Sequence, residues 1–530
     1  MDDANNEQGR FGRLSWISRI ERGLGAACLG SLLCVLPACE DVSAAQDTVG
    51  ESIELAQNAS EAAKPAPTAM KMTRRSATQP GVATEQAGTI DVRLAREVKA
   101  EAVAPEAVAP ETVAPEASPD LAPIPADREP IELRTARQRL TVRIAPHHGA
   151  PIRARIPMGE SFEVFERVDG RGCDGKGWAD VGNGGFVCLD KSRKATEAPR
   201  TLPYVKGEGV LPYYFAKIPE GKSARRWKSL RSYHAGDEPQ VITAPGRDFA
   251  FKSRLRAKGQ IVLVDKRGRV MAERDLQRFR PSSFQGRDLV AQPVPEGERL
   301  AWAVQWPETT VYTEADPDSA LAPSLEYHAE IYVEPEPVRT ARGTFYALAD
   351  GGGFLSSRNI RRFEAIPELG DETLADDEIW IDVDLDQQIL TVMEGSEPVY
   401  ATLISSGKKG PTPRGLFRIN KKQAVGSMSS QPGAADPYAV EAVPYVQYFN
   451  GGIALHSAYW HNRFGFRISH GCVNLSPRDA AHVYSLTGPH PRDGWMDVFE
   501  DEGDLGTRVR VREADAPVSD RRGPVEHVQG

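Results

Sequence analysis

Gly452-Ile453-Ala454-Leu455-His456-Ser457, read on to Ser469-His470-Gly471-Cys472-Val473-Asn474, is the stretch that decides this chain. Cys472 stands between a glycine and a small apolar residue, a setting for tight backbone, and His456 lies far enough upstream to return beside it across adjacent strands. A free thiol titrates near ~8.5, so a neighbouring imidazole must take its proton before the sulfur can attack a carbonyl near neutral pH. The pairing of these two side chains therefore suits nucleophilic acyl chemistry. A zinc reading of His456, His461, His470 and Cys472 lacks a C-x-x-C or H-x-x-x-H pair, so neither metal nor cofactor is expected. His461 is expected to line or underlie the cleft, and Tyr445, Tyr448 and Phe449 either wall a groove or pack in the core.

With every fixed position of the pattern His, then S/T-H-G-C-x-N, filled by His456 and by Ser469 to Asn474, residues 378–512 resemble the L,D-transpeptidase (YkuD-like) catalytic domain. The resemblance implies a β-sandwich-like domain in which Cys472 forms a thioester with a peptidoglycan stem peptide and His456 serves as base and then acid. It also implies that the Ser457 carbonyl orients the imidazole and that backbone N–H groups around His470, Gly471 and Cys472 hold the oxyanion. Ser469 and Asn474 match positions that shape the pocket. The implied reaction releases terminal D-alanine from a tetrapeptide and passes the acyl group to an amine, giving a 3-3 crosslink or attachment to a protein. Two alternatives stand beside it: a hydrolase using the same Cys/His pair, and a catalytically inactive protein that binds or scaffolds peptidoglycan.

Outward from the motif the framework reads as strand. Ile381, Val383 and Leu385 alternate with Asp382, Asp384 and Asp386, predicting a strand buried on one face, and Gln387-Gln388 leads into Ile389 to Val392 as a hairpin. Thr412-Pro413-Arg414-Gly415 supplies a turn before Phe417-Arg418-Ile419. After the motif, Ser476 as N-cap, Pro477 at the first helical position and Asp479 in a capping box predict a short helix that ends at Gly488. Residues 513–530 are charged and Pro/Gly-containing and are expected to be a disordered tail.

Toward the N-terminus, residues 132–195 hold short strand-like runs separated by turns, expected to form a small barrel. Val142 to Pro146, Gly159 and Gly184 to Val187 give this segment a resemblance to bacterial SH3-like domains. Residues 196–375 read as β-rich, with a hairpin around Asp265-Lys266-Arg267-Gly268 and a fainter SH3-like copy over about 308–363. Such modules either grip peptidoglycan or only space the catalytic domain. Cys173 and Cys188 either bridge or stay reduced.

Residues 1–39 carry Arg10, Arg13, Arg19 and Arg22 ahead of an apolar run too short to cross a bilayer, the shape of an export signal. Leu36-Pro37-Ala38-Cys39 resembles a lipobox, which implies a membrane partner through lipidated Cys39; cleavage after Ser43-Ala44-Ala45 and a retained anchor are the rivals. Either of the first two puts the protein in the periplasm or cell envelope. Residues 40–131 are an Ala/Pro/Glu-rich linker with five-residue repeats, expected to be disordered, whose reach runs from about 55 Å as a coil to about 280 Å extended. A net charge of -9 provides no positive field for a phosphate backbone, so nucleic acid is not an expected partner. The fold class expected is thus mainly β: a disordered tether, one or two small barrels, and a C-terminal sandwich-like catalytic domain with a short helix.

Overall fold

Strand after strand forms where apolar residues alternate with polar ones, and the protein is mainly β. The computed structural model describes residues 128–205, 209–243, 248–369, 374–429 and 439–513. The signal segment, the linker apart from its last residues, and the tail after 513 lie outside the described residues. Among the described residues no helix is long and apolar enough to cross a membrane.

Three β-modules precede the domain expected to be catalytic, and each closes on the same unit: a strand, one turn of 3₁₀-helix, and another strand. In the first module this is Phe186–Cys188, Leu189–Lys191 and Ser192–Lys194. In the second it is Val270–Ala272, Glu273–Asp275 and Gln277–Arg278. In the third it is Phe354–Ser356, Ser357–Asn359 and Ile360–Arg362. The middle copy lies in the stretch that sequence reading left unassigned, where only its hairpin, Gln260–Asp265 against Val270–Ala272, is legible. Cys173 and Cys188 form a disulfide with S–S 2.14 Å, tying a loop of the first module to its Phe186–Cys188 strand.

The catalytic domain is two sheets around one core. The first contains β1 (Ile379–Asp384), β2 (Ile389–Glu394), β3 (Glu397–Leu403), β4 (Gly415–Arg418) and a late strand, Arg508–Arg512. The second contains β5 (Lys421–Ser429), β6 (Ala439–Asn450), β7 (Ile453–Ser457), β8 (Val473–Leu475) and Asp497–Phe499. Helix α1 (Pro477–Leu486) follows β8 directly. Ile381, Val383, Leu390, Val509 and Val511 from one sheet meet Phe449, Leu455, Val473 and Leu475 from the other, with Val483 and Tyr484 of α1 sealing the layer.

Two local expectations need correction. The acidic face of β1 is not solvated: Asp382 and Asp384 are buried, because Arg508–Arg512 lies parallel to β1 and delivers Arg510 and Arg512 to Asp382 at 2.6 and 2.8 Å. Helix α1 does not stop at Gly488 in a left-handed cap; Thr487 at φ -109° takes the chain out, and buried Lys422 donates from Nζ to the carbonyls of Tyr484 and Thr487. A buried amine donating to the last carbonyls of the helix takes the place of the glycine cap, although burial pulls its pKa down to about 7.

The modules are built onto this domain rather than strung before it. In the first, Ile152–Ile156 pairs antiparallel with Asp497–Phe499, so the module's sheet continues the second catalytic sheet. Buried Arg153 crosses the joint to Asp501 and Asp504, each at 2.7 Å, and Trp495 and Val498 sit in the module's own core. In the second, Phe215 stacks on Tyr459 with ring centroids 3.6 Å apart. In the third, Leu300, Trp302 and Val304 share a core with Leu403, Ala458 and Phe464. Arg287–Asp288, from the link between the second and third modules, adds an edge strand beside β3.

Candidate active site

Cys472 and His456 are brought together by a parallel pairing that local sequence cannot dictate. β7 and β8 run side by side with Leu455 opposite Val473, His456 opposite Asn474 and Ser457 opposite Leu475. Side chains alternate along a strand, so Leu455, Val473 and Leu475 enter the core while His456 and Asn474 share the other face. Cys472 lies in the bend immediately before β8, next to Val473, whose strand partner Leu455 is the neighbour of His456.

The turn carrying the cysteine is held from three sides. Gly471 has φ +141°, and a Cβ there would stand 2.9 Å from Ile453 Cδ1, so the motif requires glycine. Ser469 Oγ accepts from the Gly471 N–H at 3.1 Å and donates to the Cys472 carbonyl at 2.5 Å. Thr412 Oγ1 donates to the Gly471 carbonyl at 2.9 Å and accepts from the Gly407 N–H at 2.8 Å. Sequence reading treated Thr412 only as a turn residue; a hydroxyl in a Pro-flanked turn gives no hint of a partner so far along the chain. The Gly471 N–H, expected among the oxyanion donors, is engaged by Ser469 in this arrangement. His470 is exposed.

The imidazole of His456 is buried, with Nδ1 3.1 Å from the Ser457 carbonyl oxygen. A carbonyl only accepts, so Nδ1 carries the proton and Nε2 presents a lone pair. Burial pulls this histidine down to about 4, the Ser457 carbonyl opposing only in part. Burial likewise pushes the Cys472 thiol up, with the Ala454 N–H pulling the other way. The resting pair is therefore a neutral thiol and a neutral imidazole rather than a thiolate and an imidazolium. Cys472 is 8% exposed and His456 3%, so the site is a recess rather than an open groove. Sγ donates to the Gly452 carbonyl at 3.8 Å; among the described residues no hydrogen bond joins it to the imidazole.

His461 emerges as a partner of the motif. Its Nδ1 accepts the Arg463 N–H at 3.1 Å, and its Nε2 lies 3.0 Å from the side-chain amide of Asn474. Tyr445 and Phe449 are core residues, not groove walls, since both pack between the sheets; Tyr445 also donates its hydroxyl to the Val210 carbonyl at 2.7 Å. Tyr448 packs against Val443, Val446 and Ala454, with Lys421 Nζ 5.2 Å from its ring. Among the described residues, the group of side chains close enough to share a metal is Cys173, Cys188 and Asp190, far from this motif in sequence and with both sulfurs committed to the disulfide.

Residues 378–511 match the family described as the L,D-transpeptidase catalytic domain. The YciB protein of Bacillus subtilis, provisionally named an L,D-transpeptidase, is 30% identical over 129 residues, 22% of this chain and 63% of that protein. L,D-transpeptidase 1 of Mycobacterium tuberculosis is 35% identical over 102 residues, 18% of this chain and 41% of that one. The chain thus spans less than two thirds of the length of either relative. The catalytic domain of an E. faecium L,D-transpeptidase, solved by NMR, aligns at 24% identity over 26% of this chain and 98% of its own, with a TM-score of 0.21.

Proposed function

We propose that this chain is a peptidoglycan L,D-transpeptidase of the cell envelope that forms a Cys472 thioester with a stem tetrapeptide. The observation carrying this reading is the parallel pairing of β7 with β8, Leu455 opposite Val473, which sets His456 and the bend holding Cys472 on neighbouring backbone. His456 Nε2 takes the thiol proton as sulfur bonds to the carbonyl carbon of the third stem residue. Because the base titrates near 4 and the thiol is raised, proton transfer ahead of C–S bond formation is uphill, so the two events are coupled. Collapse of the tetrahedral intermediate breaks the C–N bond, and the imidazolium returns its proton to the departing D-alanine amine. An acceptor amine, giving up its proton to His456, then attacks the thioester and frees the sulfur, which recovers the proton.

Export and lipidation at Cys39, the SH3-like character of the modules, and the pocket-shaping roles of Ser469 and Asn474 belong to the same proposal. The test uses the purified protein with tetrapeptide muropeptides and, separately, with a carbapenem. D-alanine release and a single covalent adduct by intact mass are expected, both abolished in Cys472→Ala. Full activity in that variant would overturn Cys472 as the nucleophile, and no adduct and no D-alanine release with the native protein would overturn the assignment in favour of an inactive wall-binding protein.

A further inference from the structure

The loop between β7 and β8 carries His461, and the third module supplies hydrogen-bond donors to its backbone. Tyr327 Oη donates to the Asn462 carbonyl at 2.9 Å, His328 Nε2 lies 3.3 Å from the Phe464 carbonyl, and Arg361 Nε donates to the Gly465 carbonyl at 2.8 Å. From the catalytic domain, Ser405 Oγ donates to the Arg463 carbonyl and the Ile404 carbonyl accepts from the Gly465 N–H. Tyr459, at the loop's start, is stacked on Phe215 of the second module. A loop of this kind ordinarily sends its carbonyls to water; here side chains from outside the catalytic domain take three of them.

The loop delivers one side chain to the motif. His461 is largely buried, with Phe464 5.0 Å from its ring, and burial holds it neutral down to about pH 4. Its Nδ1 already accepts from Arg463, so a neutral ring must carry its proton on Nε2. In the structure Asn474 Nδ2 stands 3.0 Å from Nε2, and two donors cannot face each other, so we assign the carboxamide the opposite flip, with its oxygen toward His461. With that flip both amide N–H bonds of Asn474 are left for another acceptor, and Asn474 stands directly opposite His456 across the β7–β8 pairing, two residues after Cys472.

We infer that His461 is a positioning residue for the proposed reaction: it fixes the Asn474 carboxamide so that its NH₂ serves the peptide carbonyl groups of the acyl donor, and the third β-module fixes His461. This rests on the transpeptidase reading for its substrate, but not for its geometry. The third module is on this account a wall of the active centre rather than a detachable wall-binding appendage.

The test has a structural and a kinetic arm, both on the whole chain. Long-range ¹H–¹⁵N correlation of histidine-labelled protein at pH 7 is expected to give His461 an unprotonated Nδ1 and a protonated Nε2; the reverse tautomer overturns the inference even if the protein has no activity. In D-alanine release, His461→Ala is expected to lower kcat about 30-fold with KM within about 3-fold, as a misplaced group does, while the melting temperature moves little. His461→Gln, which retains an N–H donor, is expected to recover most of the loss. Asn474→Ala should cost about as much as His461→Ala, and the double variant no more than either, since both break one unit. Tyr327→Phe, which removes only the hydroxyl donor to Asn462, is expected to lower kcat by a smaller factor in the same direction. Undiminished kcat in His461→Ala, additive losses in the double variant, or a loss that tracks melting temperature and is not recovered by Gln each overturns it. A native protein that releases no D-alanine and takes no carbapenem refutes the transpeptidase reading, and the tautomer measurement still decides the geometry.

Discussion

At the scale of single residues, the site works through burial. His456 is ordinarily a group of pKa near 6.5, yet its recess lowers it to about 4. On the proposed mechanism the neutral ring is the base, so activity would be retained as long as the ring stays neutral. The acid limb of kcat/KM is accordingly expected near pH 4 rather than near 6.5, and activity at pH 5.5 should stay close to that at pH 7. A pH profile of carbapenem acylation checks this; an acid limb near 6.5 would mean a hydrated, ordinary histidine. The motif was legible in sequence because the proposed chemistry demands particular types at fixed spacing: a nucleophile, a base, and a glycine where φ is +141°. Thr412 and the His461–Asn474 pair were not legible as partners, since each contact joins segments that only the fold brings together.

At the scale of elements, α1 shows how a short helix is held firmly enough to brace the cysteine turn. Ser476 Oγ caps it by accepting the Asp479 N–H at 3.2 Å, as its sequence predicts. The Asp479 carboxylate does more than a capping box requires. Fully buried, it accepts from the hydroxyls of Tyr400, Thr402 and Ser476 at 2.6 to 2.7 Å and from the Gly286 N–H at 2.8 Å. It thus ties the helix to β3 and to the segment leading into the third module. Asp479→Ala is expected to destabilise the protein by about 3 kcal/mol or more, because it leaves several buried donors without an acceptor. Chemical denaturation checks this, and a change below about 1 kcal/mol would mean that water replaces the carboxylate without difficulty.

At the scale of the whole molecule, the described β-modules and the catalytic domain behave as one construction. Module strands extend a catalytic sheet, Arg153 is buried against Asp501 and Asp504, and Leu403, Ala458 and Phe464 find their core partners in the third module. A fragment confined to residues 374–513 would uncover Trp495, Val498, Ala458 and Phe464 together. It is expected to aggregate, or to melt at least about 5 °C below the whole chain, by differential scanning calorimetry. Equal melting temperatures would show the modules to be independent.

Strand content, the N-cap of α1 and the His456–Cys472 motif with its fixed residue types were all set by sequence alone. They depend on local preference, alternation, and residue types that a reaction cannot do without. The parallel register of β7 and β8, the burial of Asp382 under Arg510 and Arg512, and the middle module with its strand–3₁₀–strand closure were decided by tertiary structure. So was the support of the 458–468 loop by Tyr327, His328 and Arg361. Each of these joins segments far apart in the chain, where the deciding quantity is which surfaces exclude water against one another, and no local stretch of sequence carries that information.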